Sequence, residues 1–453
     1  MTRKESPVLI LGGGAWGLST ALHMLNAGYI DITVIERAEQ IPSRYSAAWD
    51  LNKIVRAEYE DAFYTELALD AMEGWKTPLF GPYYHQTGYV VAATGRAPRK
   101  AIDHLEKALA SISSHPTFAP EIRQLNGSKD FKDHTWQYSG PLTGFKGYFN
   151  RIAGYAHSAD ALKGIWEYCV SRGVKFIMGE SAGKAVELLY AGGTAFAASS
   201  TGTGPEKVTG KGRCIGVRTA DGKRHLSDLT ICALGAYGAQ LIPNLGNFIV
   251  ARCWSVAHVQ LSEAETDYLR GIPTTNVRDL GFFFEPDPKT RLFKLCPLGT
   301  GYTNTDGRGI SLPPGDRLPP PQDYIPFEDE QKLRQLLRET FPWMAERPFV
   351  DQKLCWFADT ADSEYCIDFV PDTDKSLVVL SGDSGHGFKM MPSFGKWVVE
   401  LLDNDSQKLP RWQWRNTDSR GQDWSTSVSW RIGSSRELHD LIEDNSRVIK
   451  ARL

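Results

Sequence analysis

The chain has 453 residues, of which 42% are hydrophobic and 23% charged, a composition that excludes a wholly disordered or fibrous protein. That length is two or three domains' worth of chain, enough for a core that needs no metal or disulfide staple. Fifty-one basic residues against 54 acidic ones leave a net charge of −3, with no basic excess to recruit nucleic acid or an anionic membrane. Seven cysteines, Cys169, Cys214, Cys232, Cys253, Cys296, Cys355 and Cys366, form no CxxC pair and are odd in number. A secreted disulfide framework is therefore not expected, and a reduced compartment fits better.

Val8–Leu11 is an apolar run, read as a buried strand. Leu18, Ala21, Leu22 and Leu25 then recur at helical spacing, Gly28 is placed to end that helix, and Ile32–Ile35 reads as a second strand closed by Glu36. The uncharged stretch from Val8 to Ile30 looks superficially like a signal or membrane segment. Its three consecutive glycines and its polar Ser19, Thr20, His23 and Asn26 argue instead for a packed strand and helix.

Further along, Asp160–Arg172 has an amphipathic helical pattern and Val174–Ile177 a strand pattern. Gly192–Lys211 reads as an exposed Gly/Ser/Thr-rich loop. Cys214–Thr219 and Leu229–Ala233 read as strands, Leu312–Gln322 as a proline-rich surface loop, and Gln331–Leu337 as helix. Ser376–Ser381 is an apolar strand running into Gly382, Gly385 and Gly387, with helix from Gly395 to Leu402. The Trp- and Arg-rich segment from Arg411 gives no clear pattern.

Gly12, Gly14 and Gly17 have G-x-G-x-x-G spacing between a strand and a helix, with Glu36 placed 19 residues beyond Gly17. Gly12 allows a tight turn, Gly14 lets the backbone approach a pyrophosphate, and Gly17 lets helix and strand pack closely. An acid at the position of Glu36 can accept from ribose hydroxyls, which favours FAD or NAD over NADP. A second glycine turn at 382–387 lies near the other end of the chain. If both turns line one site, the binding domain is assembled from separated pieces with a substrate domain inserted between them.

Ser43–Glu60 (SRYSAAWDLNKIVRAEYE), together with Gly12–Gly17, resembles the amine-oxidising flavoenzymes of the sarcosine oxidase group, and among them the fungal fructosyl amino acid oxidases, the amadoriases. The likeness recurs at Pro78–Gly88 (PLFGPYYHQTG), Gly281–Asp287 (GFFFEPD), Leu354–Thr360 (LCWFADT) and Gly382–Lys389 (GDSGHGFK). The resemblance implies an α/β fold in which a Rossmann-like FAD-binding domain (1–60, 150–240 and 350–405) is interleaved with an α+β substrate domain built on a β-sheet (61–149 and 241–349). Residues 406–453 would then pack near the active site.

It further implies covalent attachment of FAD through Cys355, Lys53 over the flavin as the oxygen-activating cation, and Lys389 on the substrate carboxylate. Arg56 is a second candidate for that carboxylate, and Glu285 is expected near the substrate amine. Gly385, His386 and Gly387 are expected to lie near the flavin. The sequence departs from the family at Ser46-Ala47-Ala48-Trp49-Asp50, where Trp49 replaces a small polar residue and is expected to shape the substrate pocket. It departs again near Trp424-Ser425, where a carboxylate-pairing arginine of fructosyl-lysine oxidases is missing; Arg415, Arg420 and Arg431 are the candidate substitutes.

The expected activity is oxidation of the C–N bond of an N-substituted α-amino acid to an imine, with O2 reduced to hydrogen peroxide. The alternatives are an oxidase tailoring an amino-acid-derived metabolite, a saccharopine- or pipecolate-type oxidase, a flavin-binding protein without turnover and, from another class, an NAD-dependent dehydrogenase. The expected partners are a small-molecule amine and O2, with no nucleic acid or membrane, and the chain is expected to act as a monomer. Its last residues, Ala451-Arg452-Leu453, resemble a peroxisomal address, so peroxisome or cytoplasm is the expected home. The ten histidines show no metal-binding spacing. Gly179-Glu180-Ser181-Ala182-Gly183 has the Gly-x-Ser-x-Gly spacing of an esterase elbow, but no His-Gly-Gly-Gly segment precedes it, so a plain turn is expected.

Overall fold

The computed structural model describes residues 3–192, 212–314, 324–422, 424 and 427–441. Most of the Gly192–Lys211 loop, much of the proline-rich stretch, Ser425 and the C-terminal Ala451-Arg452-Leu453 therefore lie outside the described residues.

Val8–Leu11 sits inside a six-stranded sheet ordered Cys366–Phe369, Leu377–Ser381, Leu229–Cys232, Val8–Leu11, Ile32–Glu36, Lys175–Met178. Its strands run parallel except for the edge strand Cys366–Phe369. The central strands are largely apolar because both faces of the sheet are covered. Val8 and Ile10 point into a core shared with the helix Ala15–Asn26. Leu9 and Leu11 point the other way, against Leu188 and Val217 of a small antiparallel sheet, Ala185–Tyr190, Cys214–Thr219 and Arg224–Leu226.

Ala15–Asn26 packs against Met391–Asn404, the helix that follows the second glycine turn. Ser19 Oγ joins them, donating to Met391 O at 2.5 Å and accepting from Gly395 N at 2.9 Å. A Cβ at Gly395 would lie 2.1 Å from Ser19 O, so this crossing requires a bare backbone. The helix starts earlier than the expected Gly395 because Pro392 falls in its first turn, where a missing N–H costs nothing. Asp160–Arg172 is observed as Ser158–Ser171, and Gln331–Leu337 as the middle of Phe327–Thr340.

The larger second sheet is ordered Arg436–Glu437, Tyr302–Thr303, Val250–Gln260, Leu292–Pro297, Gly281–Phe283, Thr274–Val277, Tyr89–Ala93, Lys146–Asn150, Ile122–Leu125. Leu333, Leu336 and Leu337 of the helix Phe327–Thr340 fill one face of it, with Val259, Leu295 and Phe283. The long strand Phe349–Asp359 pairs antiparallel with Val250–Gln260, Trp254 opposite Cys355. Residues 350–359, expected in the FAD-binding domain, are thus part of the substrate-side sheet. The chain returns to the first sheet only at Cys366.

Candidate functional site

A cavity of about 750 Å³ runs from the first glycine turn to the second sheet. At the first end, Gly12 has φ +104°, and a Cβ there would lie 2.5 Å from Ala233 O. Gly17 lies beneath the turn, where a Cβ would meet Gly12 O at 1.9 Å. Gly14 caps the helix without a side-chain hydrogen bond and lines the cavity, which leaves the first-turn N–H groups for a ligand phosphate. Glu36 also lines it. Its carboxylate accepts from Gly13 N at 2.7 Å, Ala38 N at 2.8 Å and Ser43 Oγ at 2.7 Å, so its orientation is fixed. In the second glycine turn, Gly385 lines the cavity with φ +74°, and a Cβ there would enter the Trp254 ring at 2.4 Å. Gly387 does not line it and packs on Trp16 instead.

Midway along the cavity lies Cys355, half-buried where the other six cysteines are buried. Its Sγ is 3.8 Å from Lys53 Nζ and 3.4 Å from Ala47 O. Lys53 Nζ donates to Asp50 Oδ2 at 2.7 Å, and Lys294 Nζ to the same oxygen at 2.6 Å. Burial opposes the charged form of Lys53, but Asp50 outweighs it and holds that ammonium above the ordinary lysine range. Burial would likewise raise Asp50, but Lys294, Lys53 and Lys353 together keep it well below the carboxylate range. Lys294 is pulled down by burial against the attraction of Asp50.

The far end is rich in cations and aromatic rings. Arg56, Lys389 and Arg278 line it with Tyr59, Phe282, Phe284 and Trp430. Lys389 Nζ donates to Tyr59 Oη at 3.2 Å and to His386 O at 2.9 Å. Burial, with Arg56 adding to it, holds the Lys389 pKa well below the ordinary lysine value. His386 contacts Tyr59 and Tyr365 through Nδ1, at 3.1 and 3.0 Å, and Ser363 O through Nε2 at 2.8 Å. Burial and neighbouring Lys389 pull its pKa down to about 3, so the ring is neutral at pH 7. Among the described residues, no cluster of three or more His, Cys, Asp or Glu is placed to hold a metal ion.

Residues 7–401 match the family described as FAD dependent oxidoreductase. The chain belongs to this family. It is 30% identical to the L-saccharopine oxidase of Schizosaccharomyces pombe over 444 residues, covering 94% of this chain and 95% of that protein. It is 26% identical to the amino acid oxidase imqH of Aspergillus flavus, covering 87% and 92%. Among solved structures, amadoriase II of Aspergillus fumigatus in complex with FSA superposes with a TM-score of 0.84 at 31% identity, over 97% of each chain. Amadoriase I from the same organism gives 0.84 at 29% identity, over 98% of each chain. The protein is thus an FAD-dependent amine oxidase of the sarcosine oxidase and amadoriase type, a flavoenzyme acting on CH–NH bonds, and the NAD-dehydrogenase alternative falls away.

Besides Gly17 and Gly387, the two residues Glu285 and Trp49, expected at the substrate, stand outside the cavity of this FAD-dependent oxidase. Glu285 faces away, accepting from Tyr155 Oη at 2.9 Å and Gly271 N at 2.6 Å. Side chains alternate along an extended segment, so Phe282 and Phe284 take the cavity side and leave Glu285 the other. Trp49 is 44% exposed, with the Lys353 ammonium 4.6 Å from its ring centroid, and does not line the pocket. None of the three arginines offered for the C-terminal position lines the cavity either. Arg431 Nη2 donates to Asp359 Oδ1 at 2.5 Å, Arg415 pairs with Asp362 at 3.2 Å, and Arg420 with Asp418 at 2.5 Å.

Lys294 and Arg278 were missed. A lone lysine inside the apolar run Leu292–Pro297 was a readable signal for Lys294, whereas nothing in the pattern around Arg278 marks it. The Gly179–Gly183 segment joins one strand to another, Lys175–Met178 to Ala185–Tyr190, so it lacks the helix a nucleophile elbow requires.

Proposed function

We propose that this flavoenzyme oxidises N-substituted α-amino acids to imines, with FAD held covalently by Cys355 and O2 as the electron acceptor, giving hydrogen peroxide. One observation carries the reading. One cavity is lined together by the first glycine turn, the half-buried Cys355, the Lys53 ammonium and the cations Arg56, Arg278 and Lys389. The residues fit FAD at each point: bare glycines and an uncapped helix start for the pyrophosphate, Glu36 for the ribose, and the Cys355 thiol for the flavin methyl. When bound there, FAD supplies the hydride acceptor and the route of electrons to oxygen.

The protein's own groups would do the rest. Arg56 and Lys389 would hold the substrate carboxylate, the guanidinium by a fork and the ammonium as a point charge. A carboxylate beside Lys389 would restore the charge that burial and Arg56 oppose. Trp254, Phe282, Phe284 and Trp430 would exclude water around the amine. Lys53, kept charged by Asp50, would stabilise negative charge developing on oxygen.

Commitment of Arg431 to Asp359 argues against a fructosyl-lysine type of carboxylate contact from the C-terminal segment. The likeness to L-saccharopine oxidase favours an amine bearing an acidic N-substituent. A peroxisomal home suits a peroxide producer, and peroxisomal sarcosine oxidases of mouse and human are among its partial matches, over 21% and 16% of this chain.

The test is colour and peroxide. Purified protein should be yellow, and the colour should stay with the acid-precipitated polypeptide but not with Cys355→Ala. Peroxide release, screened over fructosyl amino acids, N-methyl amino acids, saccharopine and pipecolate, should single out one class. Colour lost to the supernatant removes only the thioether, whereas no peroxide from any amine removes the oxidase reading.

A further inference from the structure

Arg278 is 7% exposed, directly after the strand Thr274–Val277, and lines the far end of the cavity. Its backbone N donates to Ala92 O at 2.7 Å, which fixes its place at the strand end. Its Nη2 donates to Trp430 O at 3.0 Å, while its buried Nε has no partner. Among the described residues no carboxylate lies within ion-pair distance of Arg278. Two acids line the same cavity: Glu60 pairs with His104 Nδ1 at 2.6 Å, and Glu58 accepts from Asn150 Nδ2 through Oε1 at 2.7 Å and from Arg56 through its backbone O, its buried Oε2 having no partner; neither is paired with Arg278.

A guanidinium cannot shed its proton at neutral pH, so a buried one without an anion is costly unless a ligand brings the anion. Of the three cations Arg56, Lys389 and Arg278 in this cavity, Arg278 is the one whose buried Nε has no partner. With Lys389 and Arg56 assigned to the α-carboxylate, Arg278 is left over. Asn276, whose buried Oδ1 also has no partner, lines the cavity beside it.

We infer that Arg278 forms a second carboxylate subsite, and that the substrate is a secondary amine carrying at least two carboxylates, an N-(carboxyalkyl) α-amino acid. This rests on the amine-oxidase reading above and narrows it to the acidic N-substituent. A fork–fork pair with the distal carboxylate would take Nε–H and one Nη2–H of Arg278 and leave the other Nη2–H for Trp430 O. That contact would also couple substrate binding to the segment Val428–Trp430, which forms part of the cavity wall.

The test compares an N-(carboxyalkyl) amino acid with its distal mono-amide, measuring kcat/KM in the holoenzyme and in Arg278→Met and Arg278→Lys. The native enzyme should prefer the diacid by about 10- to 100-fold, the range of a hydrogen bond to a charged group. Arg278→Met should bring that ratio close to 1, chiefly through KM of the diacid, and Arg278→Lys should restore part of it. A ratio unchanged in Arg278→Met, with both substrates falling in step, would mean that Arg278 only anchors Trp430, and the subsite would be lost.

A second measurement does not depend on turnover. Glutarate should raise the thermal midpoint of the holoprotein more than butyrate does, and Arg278→Met should abolish the difference. If no amine is oxidised but the glutarate difference is present and Arg278-dependent, the oxidase reading fails while the subsite stands. Equal shifts by glutarate and butyrate in the native protein would overturn the subsite.

Discussion

The charge on Lys53 is what its proposed chemistry needs. Asp50 sits 2.7 Å away and keeps the ammonium protonated despite burial, while Cys355 Sγ lies 3.8 Å on the other side. A cation so fixed needs no reorganisation when negative charge appears on oxygen, an effect worth about 10²–10³-fold in comparable donor deletions. Lys53→Met should therefore slow reoxidation of the reduced enzyme by O2 by that order, and anaerobic reduction by the amine far less. Stopped-flow measurement of the two half-reactions decides it, and an equal loss in both would remove the oxygen role. At this scale the sequence was legible wherever a residue belonged to a contiguous motif: Gly12, Gly14, Glu36, Lys53, Cys355 and Lys389 all line one cavity. It misled where only side-chain direction decides. Glu285 lies within GFFFEPD, yet the alternation of an extended chain turns it to Tyr155. Arg278 carries no local signal, because its burial depends on Tyr89–Ala93 and on Trp430, both distant in sequence.

Elements meet at Asp50. Lys53 opens the strand Lys53–Val55, Lys294 comes from Leu292–Pro297 and Lys353 from Phe349–Asp359, and all three ammonium groups lie within 4.0 Å of this one carboxylate, at 2.7, 2.6 and 3.8 Å. The Asp50 backbone O also accepts from Ser158 Oγ at 2.8 Å at the start of the helix Ser158–Ser171. Removing the shared counter-charge would leave the buried Lys294 ammonium facing the half-buried Lys53 ammonium. Breaking a buried pair from one side typically costs about 3–5 kcal/mol. Asp50→Asn should lower the unfolding free energy by that amount in urea titrations, with a further drop in the oxygen half-reaction as Lys53 loses its anchor. A change below about 1 kcal/mol would show that water already solvates the cluster. Strands such as Val8–Leu11 were legible as apolar runs, and Cys214–Thr219 was read to the residue, whereas the three strands that carry these lysines were not read as strands. Their meeting point was not, because three lysines spread over 300 positions look like ordinary surface charges until the sheets are placed.

Across the whole molecule, the cavity is the seam between the two sheets. The first sheet contributes the glycine turn after Val8–Leu11 and the second contributes Cys355 on Phe349–Asp359, so FAD in this cavity would touch both. The interleaving of two units was readable from the order of the glycine turns. The membership of Phe349–Asp359 was not, since the motif Leu354–Thr360 does not say which distant strand it pairs with. Its partner Val250–Gln260 is fixed by the completed sheet. A consequence for stability follows from this placement. A ligand bound only by the folded state stabilises it by about 4.1 kcal/mol at a thousandfold excess over its Kd. In Cys355→Ala, where FAD could be stripped and returned, the apoprotein should unfold at a lower temperature than the reconstituted form. Because FAD in this cavity would span the seam, one cooperative transition should move as a whole when FAD is added back. Calorimetry with and without FAD reads this directly. An FAD-insensitive midpoint, or two transitions of which only one responds, would show that the cofactor is held by the first sheet alone.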